Sequence, residues 1–263
     1  MAFFDTPATA KTFSMAQFLS FAASQGIQLA ALTWHDNTGG PQALAAQAGR
    51  ARHELAGLPQ LGRPKLFINE YGSAAQQRIP GWDVAYLAAL NAAAVDGANR
   101  SCWSADCQQP TLDGLLTSDG SQARPGYWVR LAYAHMAGTR VAVSSSSLAV
   151  TAIATYDPAT GAITAIVGRA VGCRQDPRCP SGPRNAAPVP VTVLVQVPWT
   201  SGGARIQMSR ISSRSVAPVV QPGVYSFSVP ITRVTAGRGE IRLPIAGFGD
   251  GDAEVLQASQ LSH

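Results

Sequence analysis

The sequence predicts a chain in two parts, a parallel α/β region followed by an all-β region. Up to about residue 140, helix-like and strand-like segments alternate, which is typical of a parallel sheet with helices outside it. After that point the helical period disappears, and about seven short strands follow with Gly and Pro between them. Such a pattern indicates an antiparallel β-sandwich. We therefore expect one domain at 1–140 and a second at 141–263.

The first part holds four predicted helices and three predicted buried strands. Ser14 is a suitable N-cap, and apolar residues recur after it with helical spacing as far as about Gln25. Apolar runs that are bounded by Gly and Pro predict strands buried on both faces, as in parallel sheets. Beyond the first helix, the expected helices are at 41–58, 81–97 and 124–138, and the expected strands are at 27–34, 66–70 and 98–103.

The second part begins with two strands around the turn sequence Asp-Pro-Ala-Thr-Gly at 157–161. The five further strands are expected at 189–199, 204–211, 223–231, 239–245 and 253–259.

Composition excludes several classes of protein. The chain has 263 residues, of which 46% are hydrophobic and 13% charged, so it has the composition of a folded rather than a disordered protein. The net charge of +5 comes from scattered Arg, and without a basic block interleaved with aromatics we expect no nucleic-acid partner. No apolar run approaches the roughly 20 residues of a membrane span. The first residues also lack a signal-peptide pattern.

The four cysteines form two local pairs, Cys102 with Cys107 and Cys173 with Cys179. The second pair lies in "CRQDPRC", whose turn-forming residues favour a small disulfide ring. Zinc is the alternative ligand, but the His residues are scattered and no CxxC occurs. We expect two local disulfides and therefore an oxidising compartment.

Polar and aromatic residues gather where the three predicted strands end. In parallel α/β folds, ligands bind at these carboxyl ends. Aromatic rings stack on sugar faces and carboxylates act at the anomeric carbon, so this combination suits a carbohydrate site. Each aromatic residue alone is as compatible with the core, and His35 could bond a backbone carbonyl. The strands end in Trp34-His35-Asp36-Asn37, Asn69-Glu70-Tyr71 and Trp103-Ser104-Ala105-Asp106.

These segments resemble, in order and spacing, the C-terminal part of the barrel in clan A glycoside hydrolases. The resemblance is strongest to family 39, the β-xylosidase and α-L-iduronidase group. "FFDTPA" is similar to the end of strand five there, "FLSFAASQGIQLAALTWHD" to the following helix and strand six, and "LFINEYG" to strand seven. "SCWSAD" is similar to strand eight, and "DGLLTSDGSQARPGYWVRLAYAHMAG" to the closing loop and helix. A β domain follows the barrel in that family as well.

The resemblance implies the C-terminal part of a (β/α)8 barrel, about strands 5–8, followed by a β-sandwich. It also implies a retaining glycosidase with Glu70 as the nucleophile, no cofactor and no metal. Trp34 and Trp103 would stack against the sugar. The other implied substrate-binding residues are His35, Asp36, Asn69, Tyr71 and Asp106.

The sequence departs from the family in two ways. Asn69 precedes Glu70 where the family more often has Thr or Ser, and an Asn-Glu pair is the signature of the acid/base on strand four. The position of Glu70 one strand before the last still favours the nucleophile. Strands one to four and the acid/base Glu have no counterpart here, and three strands cannot close a barrel. We therefore expect a fragment of a larger secreted enzyme, with Met1 internal to the reading frame.

Two alternatives remain open at this point. The chain could be a non-catalytic carbohydrate-binding or scaffold protein that retains a vestigial barrel, since the acid/base is missing. It could also be a barrel enzyme of different chemistry that uses Glu70 as a general base, although no ligand cluster or phosphate loop is visible. The sequence does not indicate the sugar or the oligomeric state.

Overall fold

The computed structural model describes residues 14–37, 40–103, 107, 110–171, 186–213 and 221–261. These residues form two compact units, which are described separately. The first contains the described residues of 14–77 and 86–103, and the second contains 78–85 and the described residues after 103. The described residues between 104 and 140 belong to the second unit.

The first unit is built on a parallel sheet of three strands in the order β1-β2-β3. The predicted alternation of helices and strands is present, with bounds that differ by a few residues from those expected. The strands are β1 (Ala31–Asp36), β2 (Lys65–Tyr71) and β3 (Gly97–Arg100), and the helices are α1 (Met15–Ser24) and α2 (Gly40–Ala56). Helix α3 (Pro80–Ala93) belongs to this unit from residue 86 onward, and its first residues belong to the second unit.

Helix α1 begins where the sequence predicts because Ser14 caps it. The Ser14 hydroxyl accepts a hydrogen bond from the Gln17 backbone, and the Gln17 side chain accepts one from the Ser14 backbone. This reciprocal capping box satisfies two of the amides that every helix start leaves unpaired. The buried positions Met15, Leu19 and Ala22 follow at helical spacing.

One face of the parallel sheet is buried and the other is open. In β1 and β2, side chains alternate between the faces, as the pleat requires. Leu32, Trp34, Leu66 and Ile68 are on the buried face. The Trp34 indole N–H donates to Oε1 of Gln47 on α2 at 2.9 Å, so α2 covers this face.

Strand β2 contains one extra residue near its carboxyl end. Trp34 pairs with Ile68, but the next residue of β1, His35, pairs with Glu70. Asn69 is therefore a bulge residue without a partner on β1. After the bulge, Asn69 and Glu70 are both accessible, while Tyr71 returns to the buried face with 2% exposure.

The second unit contains helix α4 (Pro125–Ala134) and two antiparallel sheets. Its described residues form nine strands, two more than the sequence predicts, because the short β4 and β10 were not expected. Six strands have the order β4-β5-β6-β12-β8-β9, and three have the order β10-β11-β7. The strands are β4 (Thr139–Arg140), β5 (Val150–Asp157), β6 (Ala162–Arg169), β7 (Val189–Val197), β8 (Gly203–Ile211), β9 (Val224–Pro230), β10 (Arg233–Thr235), β11 (Arg238–Phe248) and β12 (Ala253–Gln260).

The predicted turn between β5 and β6 is stabilised by Asp157. Its carboxylate accepts hydrogen bonds from the Ala159 backbone at 3.0 Å and the Thr160 hydroxyl at 2.7 Å. These bonds lower the pKa of the Asp157 carboxyl, the Thr160 hydroxyl having the largest effect. Gly161 closes the turn at a φ of 70°, which glycine adopts without strain.

The two antiparallel sheets share one hydrophobic core. Both the six-stranded sheet and the three-stranded sheet contribute buried aliphatic side chains to it. Its fully buried members include Val197, Ile206, Ile241, Leu243 and Leu256. This shared core is the arrangement by which two sheets pack face to face.

A buried ion pair connects the start of α3 with α4 within the second unit. Asp83 is 2% exposed, and its Oδ1 lies 3.0 Å from an Nη atom of Arg130. Close backbone packing occurs nearby, because the Gly81 amide donates to the Gly251 carbonyl at 2.6 Å. Across the described residues, no helix is both long and apolar enough to pass through a bilayer.

Candidate functional site

The carboxyl ends of the three parallel strands meet at one edge of the sheet. Beyond the strands themselves, the Gly72 amide donates to the Asp36 carbonyl at 3.1 Å and the Ser101 amide donates to the Tyr71 carbonyl at 2.9 Å. These bonds extend the ladder to the residues that follow each strand. The strand ends that the sequence marked as a site are therefore joined by backbone hydrogen bonds, at the edge where parallel sheets bind ligands.

Glu70 is the carboxylate at this edge. Its side chain is 47% exposed, so it is accessible without being fully solvated. Its Oε2 accepts a hydrogen bond from Nδ2 of Asn37 at 3.1 Å and lies 3.4 Å from Nδ1 of His35. The second distance is longer than an ordinary hydrogen bond. The structure thus brings His35 and Glu70 together, and it leaves Asn69 exposed beside them.

Two further residues belong to this group that were not among the predicted substrate-binding residues. Asn37 donates to Glu70, and its Oδ1 accepts a hydrogen bond from the hydroxyl of Ser101 at 2.8 Å. Ser101 is 7% exposed. Neither residue is charged or aromatic, so its residue type did not indicate a role. The feature that could have identified them is their position directly after β1 and β3.

Trp103 lies beyond β3 with its indole N–H fixed and much of its ring accessible. The indole nitrogen donates to the Gly72 carbonyl at 2.9 Å, and the side chain is 48% exposed. The Gln77 side chain accepts from the Trp103 backbone at 3.1 Å and approaches the Cys102 sulfur, also at 3.1 Å. An exposed aromatic ring on a fixed segment has the properties of a stacking platform.

Cys102 and Cys107 form a disulfide, as their spacing predicts. Their sulfurs are therefore not available as zinc ligands. The other pair, Cys173 and Cys179, lies outside the described residues, as do Asp106 and the segment "FFDTPA". Within the described ranges, no group of three or more His, Cys, Asp and Glu side chains is placed to hold a metal ion.

Three predicted substrate-binding residues are buried in the structure. Trp34, Asp36 and Tyr71 are 1%, 4% and 2% exposed, on the face of the sheet opposite Glu70. Trp34 donates to Gln47 within the core. Tyr71 packs against Tyr86 at 5.1 Å between ring centroids. These side chains are core residues because strand alternation turns every second side chain towards the helices.

The segment "GLLTSDG", which contributed to the resemblance, forms a closed turn. A bridge between Leu116 and Ala123 closes it, and the Thr117 and Ser121 hydroxyls both donate to the Asp119 carboxylate. These bonds, that of Thr117 first, lower the pKa of Asp119 to about 2. A carboxylate held in this way shapes a turn, and this motif reports on structure rather than on chemistry.

Comparisons with known proteins show the fold of this chain. No protein-family profile matches the sequence, and no curated protein matches it. Solved structures do match. A protein from Neocallimastix frontalis matches with a TM-score of 0.73 and 17% identity, over 97% of this chain and 60% of that one. A GH39 enzyme from Xanthomonas axonopodis pv. citri matches with a TM-score of 0.63 and 16% identity, again over 97% and 60%.

A more distant match is an α-L-arabinofuranosidase from Thermotoga maritima. Its TM-score is 0.58 at 11% identity, over 92% of this chain and 55% of that one. The chain therefore has the fold of part of these glycoside hydrolases, which confirms the resemblance at the level of fold. It spans between about half and two thirds of the length of each neighbour.

Proposed function

We propose that this chain is the nucleophile-bearing part of a retaining glycoside hydrolase that cleaves O-glycosidic bonds in oligo- or polysaccharides. The observation that carries the proposal is Glu70. It is a half-exposed carboxylate at the carboxyl end of a parallel strand, with Asn37 and His35 beside it. The chain that presents it shares its fold with a GH39 enzyme.

We further infer that the two units are the C-terminal part of a (β/α)8 barrel and a β-sandwich. Helices cover one face of the parallel sheet, as they cover the outside of such a barrel. The open face, which carries Thr33, His35, Phe67 and Glu70, then corresponds to the barrel interior. The core shared by the two antiparallel sheets supports the assignment of the sandwich.

The proposed reaction has two steps. An oxygen of Glu70 forms a bond to the anomeric carbon while the bond to the leaving oxygen breaks and that oxygen takes a proton from a second carboxylic acid. Water then attacks the same carbon, releases Glu70 and gives its proton back to the second carboxylate. The two carboxyl groups of a retaining enzyme lie roughly 5 to 5.5 Å apart.

The second carboxylate belongs, in this proposal, to strands that this sequence does not contain. His35 and Asn69 would bond the sugar hydroxyls, and Trp103 would stack against a ring face. Glycosidase neighbours favour a carbohydrate substrate, with β-xylosides as the first class to test. A secreted location goes with the disulfide between Cys102 and Cys107.

Covalent labelling tests the nucleophile without requiring the acid. The full 263-residue chain is incubated with 2,4-dinitrophenyl 2-deoxy-2-fluoro-glycosides of the xylose, glucose and arabinose series. Dinitrophenolate leaves without protonation, so only a correctly placed nucleophile is needed. We expect one sugar adduct in the intact mass spectrum and its location on Glu70 by peptide mapping.

The control is Glu70→Gln, which keeps the size of the side chain but removes the nucleophile and should not be labelled. A label on another carboxylate in the wild-type chain contradicts the assignment of Glu70. If no reagent labels the chain, the nucleophile proposal fails for these sugar classes.

A second candidate is carbohydrate binding without turnover, which the accessible Trp103 ring favours. Retention on insoluble xylan that is lost in Trp103→Ala, together with no labelling of Glu70, would support it. Labelling of Glu70 decides for the enzyme.

A further inference from the structure

The two oxygens of the Glu70 carboxylate have different surroundings. Oε2 takes both contacts, with Nδ2 of Asn37 at 3.1 Å and Nδ1 of His35 at 3.4 Å. Oε1 has no hydrogen-bond partner among the side chains of the described part of the chain. A carboxylate on a flexible Glu side chain rotates readily about its last bond. A contact on one oxygen only therefore decides which oxygen faces the open side.

The chemistry of the donors and acceptors settles the direction of the Asn37 amide. An ionised carboxylate can only accept hydrogen bonds, so the Asn37 NH₂ group must be the end that faces Glu70. Its Oδ1 then faces Ser101, whose hydroxyl donates to it at 2.8 Å. Ser101 is 7% exposed, so water has little access to replace this bond.

The two hydrogen bonds from Ser101 to Asn37 and from Asn37 to Glu70 form a relay that joins all three strand ends. Asn37 follows β1, Glu70 is the penultimate residue of β2 and Ser101 follows β3. The Ser101 backbone is itself fixed, because its amide donates to the Tyr71 carbonyl at 2.9 Å. A hydroxyl on fixed backbone thus orients an amide, and the amide orients a carboxylate.

We infer that Asn37, oriented by Ser101, is a positioning residue that holds Oε2 of Glu70 and leaves Oε1 free to form the bond to the anomeric carbon. The inference rests on the proposed function. Asn37 acts through Glu70 rather than on the sugar, and its contribution is to keep the attacking oxygen in line, since small displacements of reacting atoms have large effects on rate.

A spectroscopic measurement tests the contact without any turnover. In ¹H–¹⁵N spectra of the full chain, we expect a side-chain amide proton of Asn37 to move upfield in Glu70→Ala, because its charged acceptor is removed. We expect the same resonance to move in Ser101→Ala. A matched control is Asn91→Leu, at an exposed position of α3 where the Asn91 side-chain amide donates to the Leu87 carbonyl. Unchanged Asn37 resonances in Glu70→Ala overturn the inference.

A kinetic measurement tests the effect on attack. With the fluoro-glycoside that labels the wild-type chain, we expect the maximal labelling rate to fall about 10- to 100-fold in Asn37→Leu. The reagent concentration at half-maximal rate should change by less than about 3-fold, because the sugar contacts are kept. Asn37→Asp, which has the same shape but sets a second carboxylate against Glu70, should lose at least as much.

The double variant separates a relay from general structural damage. If Ser101 acts only through Asn37, then Ser101→Ala slows labelling in the wild-type background but adds nothing in Asn37→Leu. Additive losses, or a wild-type labelling rate in Asn37→Leu, overturn the inference. Absence of labelling in the wild-type chain is instead a failure of the proposed function, and the amide spectra then decide alone whether Asn37 holds Glu70.

Discussion

Trp103 illustrates how a single residue can be recognised by the combination of exposure and restraint. Its ring is 48% exposed, yet its indole N–H is bonded to the Gly72 carbonyl. Exposing an aromatic ring to water costs free energy, and a ligand that stacks on the ring recovers part of that cost. Because the ring is already fixed, little conformational entropy is lost when the ligand binds.

We expect Trp103→Ala to weaken carbohydrate binding by roughly 1 to 3 kcal/mol, by analogy with stacking on other aromatic platforms. Isothermal titration with the best oligosaccharide of the labelling series measures it. Trp103→Phe is the control, since it keeps a ring but loses the hydrogen bond to Gly72. Its affinity should lie between those of the wild type and Trp103→Ala. Equal affinity for wild type and Trp103→Ala contradicts the platform.

Tyr225 provides a pH-dependent test at the same scale. Burial, the charge of Glu254 and the hydrogen bond from the Tyr225 hydroxyl to Glu254 at 3.0 Å raise the pKa of this tyrosine from 10.0 to about 12. Below pH 10 the phenol is protonated in both the folded and the unfolded chain. Between pH 10 and 12 it ionises first in the unfolded chain, so the free energy of unfolding falls over this interval.

We expect Tyr225→Phe to lose this part of the pH dependence, and Glu254→Gln to lower the pKa of Tyr225 because one charge is removed. Ultraviolet difference titration against Tyr225→Phe measures the pKa directly. A titration midpoint near 10 for Tyr225 would mean that its contact with Glu254 is not formed in solution.

At the scale of elements, the start of α1 is an independent test of local structure. Ser14→Ala removes the hydroxyl that accepts from Gln17, and loss of such a cap typically costs about 0.5 to 2 kcal/mol. Ser14→Asp keeps an acceptor at the same place and should retain most of the stability. Urea denaturation measures the free energy of unfolding of both variants. Equal losses of stability in Ser14→Ala and Ser14→Asp would contradict the role of Ser14 as a cap.

Close packing of backbone at the start of α3 gives a second prediction. A Cβ atom at Gly81 would overlap the Arg169 carbonyl and lie 2.9 Å from the Asp252 carbonyl oxygen. Because backbone cannot move aside as a side chain can, we expect Gly81→Ala to destabilise the second unit by more than about 1 kcal/mol. Gly49→Ala, in the middle of α2 with open space around it, should be neutral or stabilising. Thermal unfolding of the two variants provides the comparison.

Elements were predictable where local chemistry decides them. Ser14 marks its helix through a cap, and 157–161 marks its hairpin through turn residues, so both appear where expected. The short strands β4 and β10 were not predictable, since two or three residues carry no period of their own and pair only because a neighbouring strand is present.

On the scale of the whole molecule, the two sheets of the second unit are joined by a buried charge as well as by their shared core. Glu254 is fully buried, and its Oε2 lies 2.6 Å from Nε of Arg210. The same guanidinium donates to the Ala246 carbonyl at 3.1 Å and the Gly247 carbonyl at 3.3 Å. Arg210 therefore links β8 and β12 of one sheet to β11 of the other.

We expect Arg210→Leu to cost about 3 to 5 kcal/mol, because the buried Glu254 loses its charged partner and keeps the hydrogen bond from Tyr225. The double variant Arg210→Leu/Glu254→Leu should recover much of that loss, since it removes the uncompensated charge along with its partner. Guanidinium denaturation measures both. A double variant as unstable as the single one would show that the pair contributes through packing instead.

The site was predictable in part from the sequence. Glu70 and His35 carry their chemistry in their residue type and position, and the structure brings them together. Trp34 and Tyr71 lie on the buried face, and a sequence read one strand at a time does not show which face a side chain occupies. Asn37 and Ser101 were missed because their role comes from the meeting of three strand ends, which no local pattern records.

The bulge at Asn69 means that the direction of Glu70 depends on a count and not on a residue type. In a strand of regular alternation, position 70 would lie on the buried face with Ile68, and the bulge is what returns Glu70 to the open face. Deleting Asn69 removes the bulge and places Glu70 directly after Ile68 and opposite His35, so Glu70 keeps the open face and labelling should survive the deletion. Asn69→Ala keeps the bulge and should also retain labelling, so a loss of labelling in Asn69→Ala would show that the Asn69 side chain itself contributes to the site.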